Sequence, residues 1–132
     1  MDPTKVEPRL SRSKHLGSIL VMALIFAGLF TGFYAPSVAA QGTVNVSIKN
    51  FSFNPGAVVV VIGVNNTVTW TNNDASIHTV TSTTVPQGAA PFDSGYLNTG
   101  NTFTYTFTTP GVYEYHCQLH PWMTGFVTVR QD

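Results

Sequence analysis

The segment YEYHCQLHPWM, residues 113–123, contains a thiolate, an imidazole and a thioether at three-residue intervals. These groups belong to Cys117, His120 and Met123, and all three are soft or borderline metal ligands. The sequence predicts a strand that ends at Cys117 and another that starts near Phe126. A tight loop between the two strands would bring the three side chains to one point. The segment therefore predicts a metal site at one end of a β-structure.

A fourth ligand has to come from another part of the chain. His78 is the only histidine after residue 40 that lies outside this segment, and it follows a polar turn. Two imidazoles and a thiolate with a weak thioether are the ligands of a mononuclear blue-copper site. Zinc is the rival metal, but structural zinc sites use several cysteines and avoid thioether. A lone cysteine is often only a small buried side chain, yet the joint spacing of Cys117, His120 and Met123 favours copper.

The region before this segment is typical of short strands separated by turns. Val44, Val46 and Ile48 alternate with polar residues, which predicts a strand with one buried face. Proline and glycine mark the turns, and 85–93 is predicted as a loop. The further predicted strands are 57–62, 67–71, 77–81, 102–107, 112–117 and 126–129. About seven or eight such strands predict an all-β sandwich.

The N-terminal 40 residues form a different region. Residues 16–35 carry no charge and follow the basic residues Arg9, Arg12 and Lys14. This run is either a signal peptide, with cleavage after the small residues 37–40, or an uncleaved membrane anchor. In both cases the domain at 41–132 is expected outside the cytoplasmic membrane.

Composition limits the possible partners. Charged residues make up 9% of the chain and the formal net charge is zero, so there is no electrostatic case for nucleic acid. Residues 41–132 contain two basic and four acidic side chains, a net charge of −2. Cys117 is the only cysteine, which excludes an internal disulfide. We expect a monomer.

The domain resembles the cupredoxins, most closely the plastocyanin and amicyanin branch. The resemblance is carried by FSFNP at 51–55, VTWTN at 68–72, PGVYEYHC at 110–117 and the pattern Cys-x2-His-x2-Met. The short gap between His120 and Met123 favours the amicyanin type. The resemblance implies a Greek-key β-sandwich with copper under one end. It also implies a single-electron shuttle in a periplasm-like setting. The uncharged run at 16–35 is expected to form a hydrophobic helix before this sandwich.

Two residues depart from the pattern of many relatives. Thr79 follows the first histidine, where an asparagine often ties the two ligand loops together. Leu119 precedes the second histidine, where proline is frequent. The backbone N–H of Leu119 could donate to the Cys117 sulfur and raise the reduction potential, or it could bind a loop carbonyl or water.

Three other functions are open to the same residues. A copper enzyme is suggested by the His116-Cys117 pair, but such sites need further histidines and His116 is predicted on the outward strand face. Copper storage or delivery would use the same ligands, whereas a purely structural domain would leave them unexplained. For a carrier, a redox partner is expected to dock near His120 and Trp122. Residues 16–35 would contact the membrane if they are not cleaved.

Overall fold

The computed structural model describes residues 41–132, and these form eight strands. Their bounds are β1 Thr43–Ile48, β2 Phe53–Asn54, β3 Ala57–Val61, β4 Thr67–Asn72, β5 Thr81–Thr84, β6 Thr102–Thr106, β7 Gly111–Cys117 and β8 His120–Arg130. The predicted leader and hydrophobic helix lie outside the described residues. Residues 41–132 contain no helix with the length and hydropathy to span a bilayer.

The strands form two four-stranded sheets, which confirms the predicted all-β sandwich. The first sheet has the order β2-β1-β4-β6 and the second the order β3-β8-β7-β5. β1 runs parallel to β4, and β3 runs parallel to β8. The other neighbouring strands are antiparallel.

The prediction of a strand at 77–81 is wrong in its position. The regular strand β5 begins only at Thr81, and His78 instead forms an isolated bridge with Leu97. The His78 N–H donates to the Leu97 carbonyl at 3.2 Å, and the Leu97 N–H donates to the His78 carbonyl at 2.8 Å. The strand propensity of the residues around His78 could not predict this bridge, because its partner Leu97 is a loop residue far along the chain.

The prediction of a loop between Cys117 and Phe126 is also wrong. β8 begins at His120, so that only Gln118 and Leu119 separate it from β7. The ladder pairs His116 with Thr124 and Cys117 with His120, and the register shifts between the two pairs. This shift lets backbone pairing continue up to the turn, which fixes Cys117 and His120 as neighbours.

The core is built from the inward faces of both sheets. Trp70 is completely buried and its ring contacts the Tyr115 ring edge to face at 5.5 Å between centroids. Tyr115 packs directly over Gly125, where a Cβ atom would overlap the ring carbon Cζ. Gly125 is therefore required by the close approach of this tyrosine. At the other end of β7, the Tyr113 hydroxyl donates to the Thr109 carbonyl at 2.8 Å.

The outward face of the first sheet is lined with hydroxyl groups. Thr67 and Thr106 are hydrogen-bonded through their hydroxyls at 3.0 Å, and Thr69 and Thr104 at 2.8 Å. The same face continues on β1 with Thr43, Asn45 and Ser47, which lie in register with β4. This face therefore meets water through uncharged polar side chains.

Candidate metal centre

Three of the predicted ligands meet at one end of the sandwich. His78 precedes β5, Cys117 ends β7 and His120 begins β8. One ligand atom from each side chain lies within 4.8 Å of the others. His78 and Cys117 are completely buried, whereas His120 is partly exposed. The cluster therefore has two interior ligands and one at the surface.

The distances fit one metal ion among the three groups. The Cys117 Sγ lies 3.7 Å from the His78 Nδ1 and 3.5 Å from the His120 Nδ1. Metal–sulfur and metal–nitrogen bonds of about 2.0–2.3 Å that diverge by about 120° would separate such atoms by about 3.7 Å. A thiolate with two imidazoles is also a suitable donor set for copper. The residues therefore fit the metal that the sequence predicts.

Asp74 determines which nitrogen of His78 is free. The His78 Nε2 lies 2.9 Å from the Asp74 Oδ2, so Nε2 carries the proton and Nδ1 keeps its lone pair. The same carboxylate accepts the backbone N–H groups of Asn50 and Phe51 at 2.7 and 2.9 Å. Burial acts to raise the pKa of Asp74, but these N–H groups and His78 outweigh it and hold the pKa below its ordinary value of 3.8. Asp74 is therefore a carboxylate that orients His78.

The Cys117 sulfur accepts a backbone hydrogen bond from Thr79, whose N lies 3.3 Å from Sγ. The N–H of Leu119 is not among the donors to this sulfur within residues 41–132, so the proposed bond from Leu119 is not formed. Gln118 donates its backbone N–H to the Thr79 hydroxyl at 2.9 Å. The Thr79 hydroxyl thus links the segment of His78 with the segment of Cys117 and His120.

Met123 is buried in β8, three residues after His120. Its role as a ligand stays a prediction. His116 alternates with the buried residues Tyr115 and Cys117 along β7 and is partly exposed. It therefore lies on the opposite strand face from Cys117, as predicted.

Aromatic side chains surround the surface ligand. The His120 ring contacts Phe51 at 4.9 Å and Trp122 at 5.3 Å between ring centroids, both edge to face. Trp122 is 69% exposed and Leu119 44%. Ile77, beside His78, is 43% exposed. The exposed apolar side chains next to the two imidazoles are called here the apolar rim, and its members are Phe51, Ile77, Leu119 and Trp122.

Sequence reasoning misses two residues of this centre, Asp74 and Phe51. Asp74 stands four residues before His78, but the sequence pattern places it only in a turn. Phe51 belongs to the stretch that resembles a turn motif of the family. A carboxylate at this spacing from a ligand histidine is a usable signal, whereas the contact of Phe51 with both imidazoles depends on the tertiary fold.

Comparison with known proteins agrees with the fold and the cluster. The protein-family model described as a cupredoxin-like domain matches residues 19–129 of this chain. The amicyanin of Paracoccus denitrificans is 32% identical over 97 residues, which cover 74% of this chain and 72% of that protein. The plastocyanin of Prochlorothrix hollandica is 28% identical over 91% of this chain and 96% of that protein. The chain therefore belongs to the cupredoxin-like family.

Solved structures give the same result. The Cu(I) form of an amicyanin variant with a single substitution superimposes with a TM-score of 0.60 and 33% identity over 70% of this chain and 86% of that chain. A copper-containing nitrite reductase from Thermus scotoductus superimposes with a TM-score of 0.62 and 31% identity over 68% of this chain. The superposition spans only 23% of the reductase chain. The likeness to the reductase is thus confined to a small part of that enzyme.

Proposed function

We propose that this chain is a single-electron carrier with one type 1 blue copper, which works between redox partners outside the cytoplasmic membrane. The observation that carries the proposal is the cluster of His78, Cys117 and His120 with Nδ1, Sγ and Nδ1 turned toward one another. When bound, copper supplies a group that takes up and releases one electron by alternating between Cu(II) and Cu(I). Met123 is proposed as the weak axial ligand.

The residues of this chain hold and insulate that group. Asp74 fixes the tautomer of His78, and the Thr79 N–H stabilises the Cys117 thiolate. His120 reaches the surface within the apolar rim, so a partner that covers Leu119 and Trp122 would lie against the ligand ring. We propose this rim as the docking site for the redox partners, because contiguous exposed apolar residues mark interaction surfaces.

An extracytoplasmic location is part of the same proposal. It is supported by the uncharged run at 16–35 behind basic residues, which is typical of a signal peptide or an anchor. An enzymatic role is disfavoured, because residues 41–132 contain only three histidines. Two of these belong to the cluster, and His116 faces away from it.

Copper storage or delivery is the alternative, since it needs the same ligands in a site that exchanges metal. The deciding experiment is to add Cu(II) to the full chain and record its visible and electron paramagnetic resonance spectra. An electron carrier should absorb intensely near the red end of the spectrum, lose the colour on one-electron reduction and regain it on oxidation. His116→Gln is the matched control and should keep the colour. A colourless copper complex that rapidly loses its metal to a chelator would favour the alternative.

A further inference from the structure

The residues Asn50 and Phe51 have an unusual backbone. Their φ angles are +54° and +52°, which places two consecutive non-glycine residues in the left-handed region. Lys49 and Ser52 exchange both backbone hydrogen bonds around the pair, at 2.9 and 3.2 Å, so Asn50 and Phe51 are the central residues of the tight hairpin turn between β1 and β2. Such a turn requires positive φ at both central residues, a conformation that bulky side chains rarely adopt. Asp74 holds this turn in addition, because its two carboxylate oxygens accept the N–H groups of Asn50 and Phe51 at 2.7 and 2.9 Å.

The consequence of this backbone is the position of the Phe51 ring. It contacts the His78 ring at 5.4 Å with an interplanar angle of 79°. It contacts the His120 ring at 4.9 Å with an angle of 85°. Edge-to-face contacts of this kind are favourable for aromatic rings. Phe51 is nevertheless 43% exposed, so burial of its side chain does not account for the strained backbone.

The two imidazoles differ in how firmly the protein holds them. His78 is buried, its ring is bound to Asp74, and its backbone pairs with Leu97. His120 is partly exposed, and within residues 41–132 the hydrogen-bond contact of its ring is the one between Nδ1 and the Cys117 sulfur. Rotation of the His120 ring is therefore limited mainly by packing, with ring centroids of Phe51 and His78 at 4.9 Å and that of Trp122 at 5.3 Å.

We propose that Phe51 is a positioning residue for His120, and that Asp74 acts through Phe51 as well as through His78. The inference rests on the proposed function, in which His120 is a copper ligand. A single carboxylate fixes the buried ligand and also fixes the aromatic ring that restrains the surface ligand. The relative positions of the two imidazoles thus depend on one side chain that binds no metal.

The first test uses the metal-free full chain and proton–carbon NMR of the histidine rings. Phe51→Ala should broaden or split the His120 ring signals through exchange among ring orientations, while the His78 signals stay sharp. Phe126→Ala is the matched control, because Phe126 is also a phenylalanine, is 42% exposed and lies in β8 rather than in the turn of Asn50 and Phe51. Phe51→Leu should give intermediate broadening. Unchanged His120 signals in folded Phe51→Ala would overturn the inference, whether or not the protein binds copper.

The second test measures the release of Cu(I) to a chelator from the reduced protein. Loss of two edge-to-face contacts should accelerate release about tenfold in Phe51→Ala. Phe126→Ala should release Cu(I) at the rate of the unsubstituted chain, and both alanine variants should melt at similar temperatures without metal. Equal release rates in the two variants would contradict the role of Phe51 and leave the carrier function intact. Failure of the unsubstituted chain to bind copper would instead contradict the proposed function.

The third test addresses Asp74. Asp74→Ala should broaden the His120 ring signals about as much as Phe51→Ala, and the double variant should add little, because both changes remove the same restraint. Effects on His120 that add fully in the double variant would show that Asp74 does not act on His120 through Phe51.

Discussion

Thr79 makes two hydrogen bonds to the segment that contains Cys117 and Gln118. Its N–H donates to the Cys117 sulfur, and its hydroxyl accepts the N–H of Gln118. The hydroxyl also bonds to that of Thr81 at 3.0 Å. One buried residue between His78 and β5 thus ties together the two segments that carry the ligands.

Replacing Thr79 with valine should keep the bond to sulfur and remove the hydroxyl's bonds to Gln118 and Thr81. We expect the blue colour to persist and the metal-free protein to lose about 2 kcal/mol of stability, the usual net value of two hydrogen bonds. Thr79→Asn should restore much of that loss, since an amide oxygen can accept the same N–H. Urea denaturation of the three proteins measures the difference. Equal stability of the valine variant would show that the hydroxyl link contributes nothing.

Cys117→Ser should abolish the intense visible absorption on addition of Cu(II). The colour of such sites comes from charge transfer out of the thiolate, and a hydroxyl cannot supply it. The measurement is the absorption spectrum at equal bound copper, with His116→Gln as the control from the same strand. Persistence of the colour in the serine variant would contradict the assignment of the sulfur ligand.

Met123→Leu should keep the colour and raise the reduction potential. Leucine has a similar volume and no donor atom, and a weaker axial donor disfavours Cu(II). Voltammetry at fixed pH measures the change. A potential that falls or stays level would show that Met123 is only a core residue, which its burial in β8 would also permit.

Trp122→Glu should slow electron self-exchange between Cu(I) and Cu(II) copies about tenfold or more, because the proposed docking site would bring two apolar rims into contact. NMR line broadening measures the exchange rate. The matched control is Val59→Glu, which adds the same charge at a residue that is 50% exposed and lies in β3. The visible spectra of both variants should match that of the unsubstituted chain. Equal slowing in both variants would attribute the effect to charge and place the contact elsewhere.

Tyr113→Phe should destabilise the metal-free protein by about 1 kcal/mol, because the Thr109 carbonyl loses its donor. Burial raises the pKa of Tyr113 above its ordinary 10.0. The neutral hydroxyl therefore stabilises the fold fully below pH 10.0 and loses this effect as the pH rises through the folded-state pKa. Urea denaturation against pH should show a difference from Tyr113→Phe that shrinks at alkaline pH. A difference in stability that grows at alkaline pH would contradict the raised pKa of Tyr113.

The proximity of Cys117 and His120 was predictable because their spacing is local. Cys117, His120 and Met123 lie within seven residues, and a turn of the chain is enough to bring the first two together. Alternating residues likewise predicted β1 and β4 to within one residue at each end. Such patterns record which face of a strand is buried.

The errors concern features that depend on particular contacts rather than on residue type. β8 begins at His120 because backbone pairing with Cys117 survives a register shift, which composition does not encode. His78 lies outside β5 because it pairs with Leu97. The turn that carries Phe51 is bound to a carboxylate 23 residues further along the chain, and its ring contacts both imidazoles. Local sequence patterns do not record the bridge of His78 or this contact of Phe51.

The hydroxyl-lined outer face of the first sheet bears on how partners meet this protein. Its threonine pairs interact with water without charge, and residues 41–132 carry a net charge of only −2. Long-range steering requires a strong field and weakens within about 8 Å at physiological ionic strength. Encounters with a partner should therefore depend little on added salt, and the rate should follow the frequency of collisions that place the apolar end correctly. The orientation of the two proteins at collision, rather than their electrostatic attraction, would then limit the rate of electron transfer.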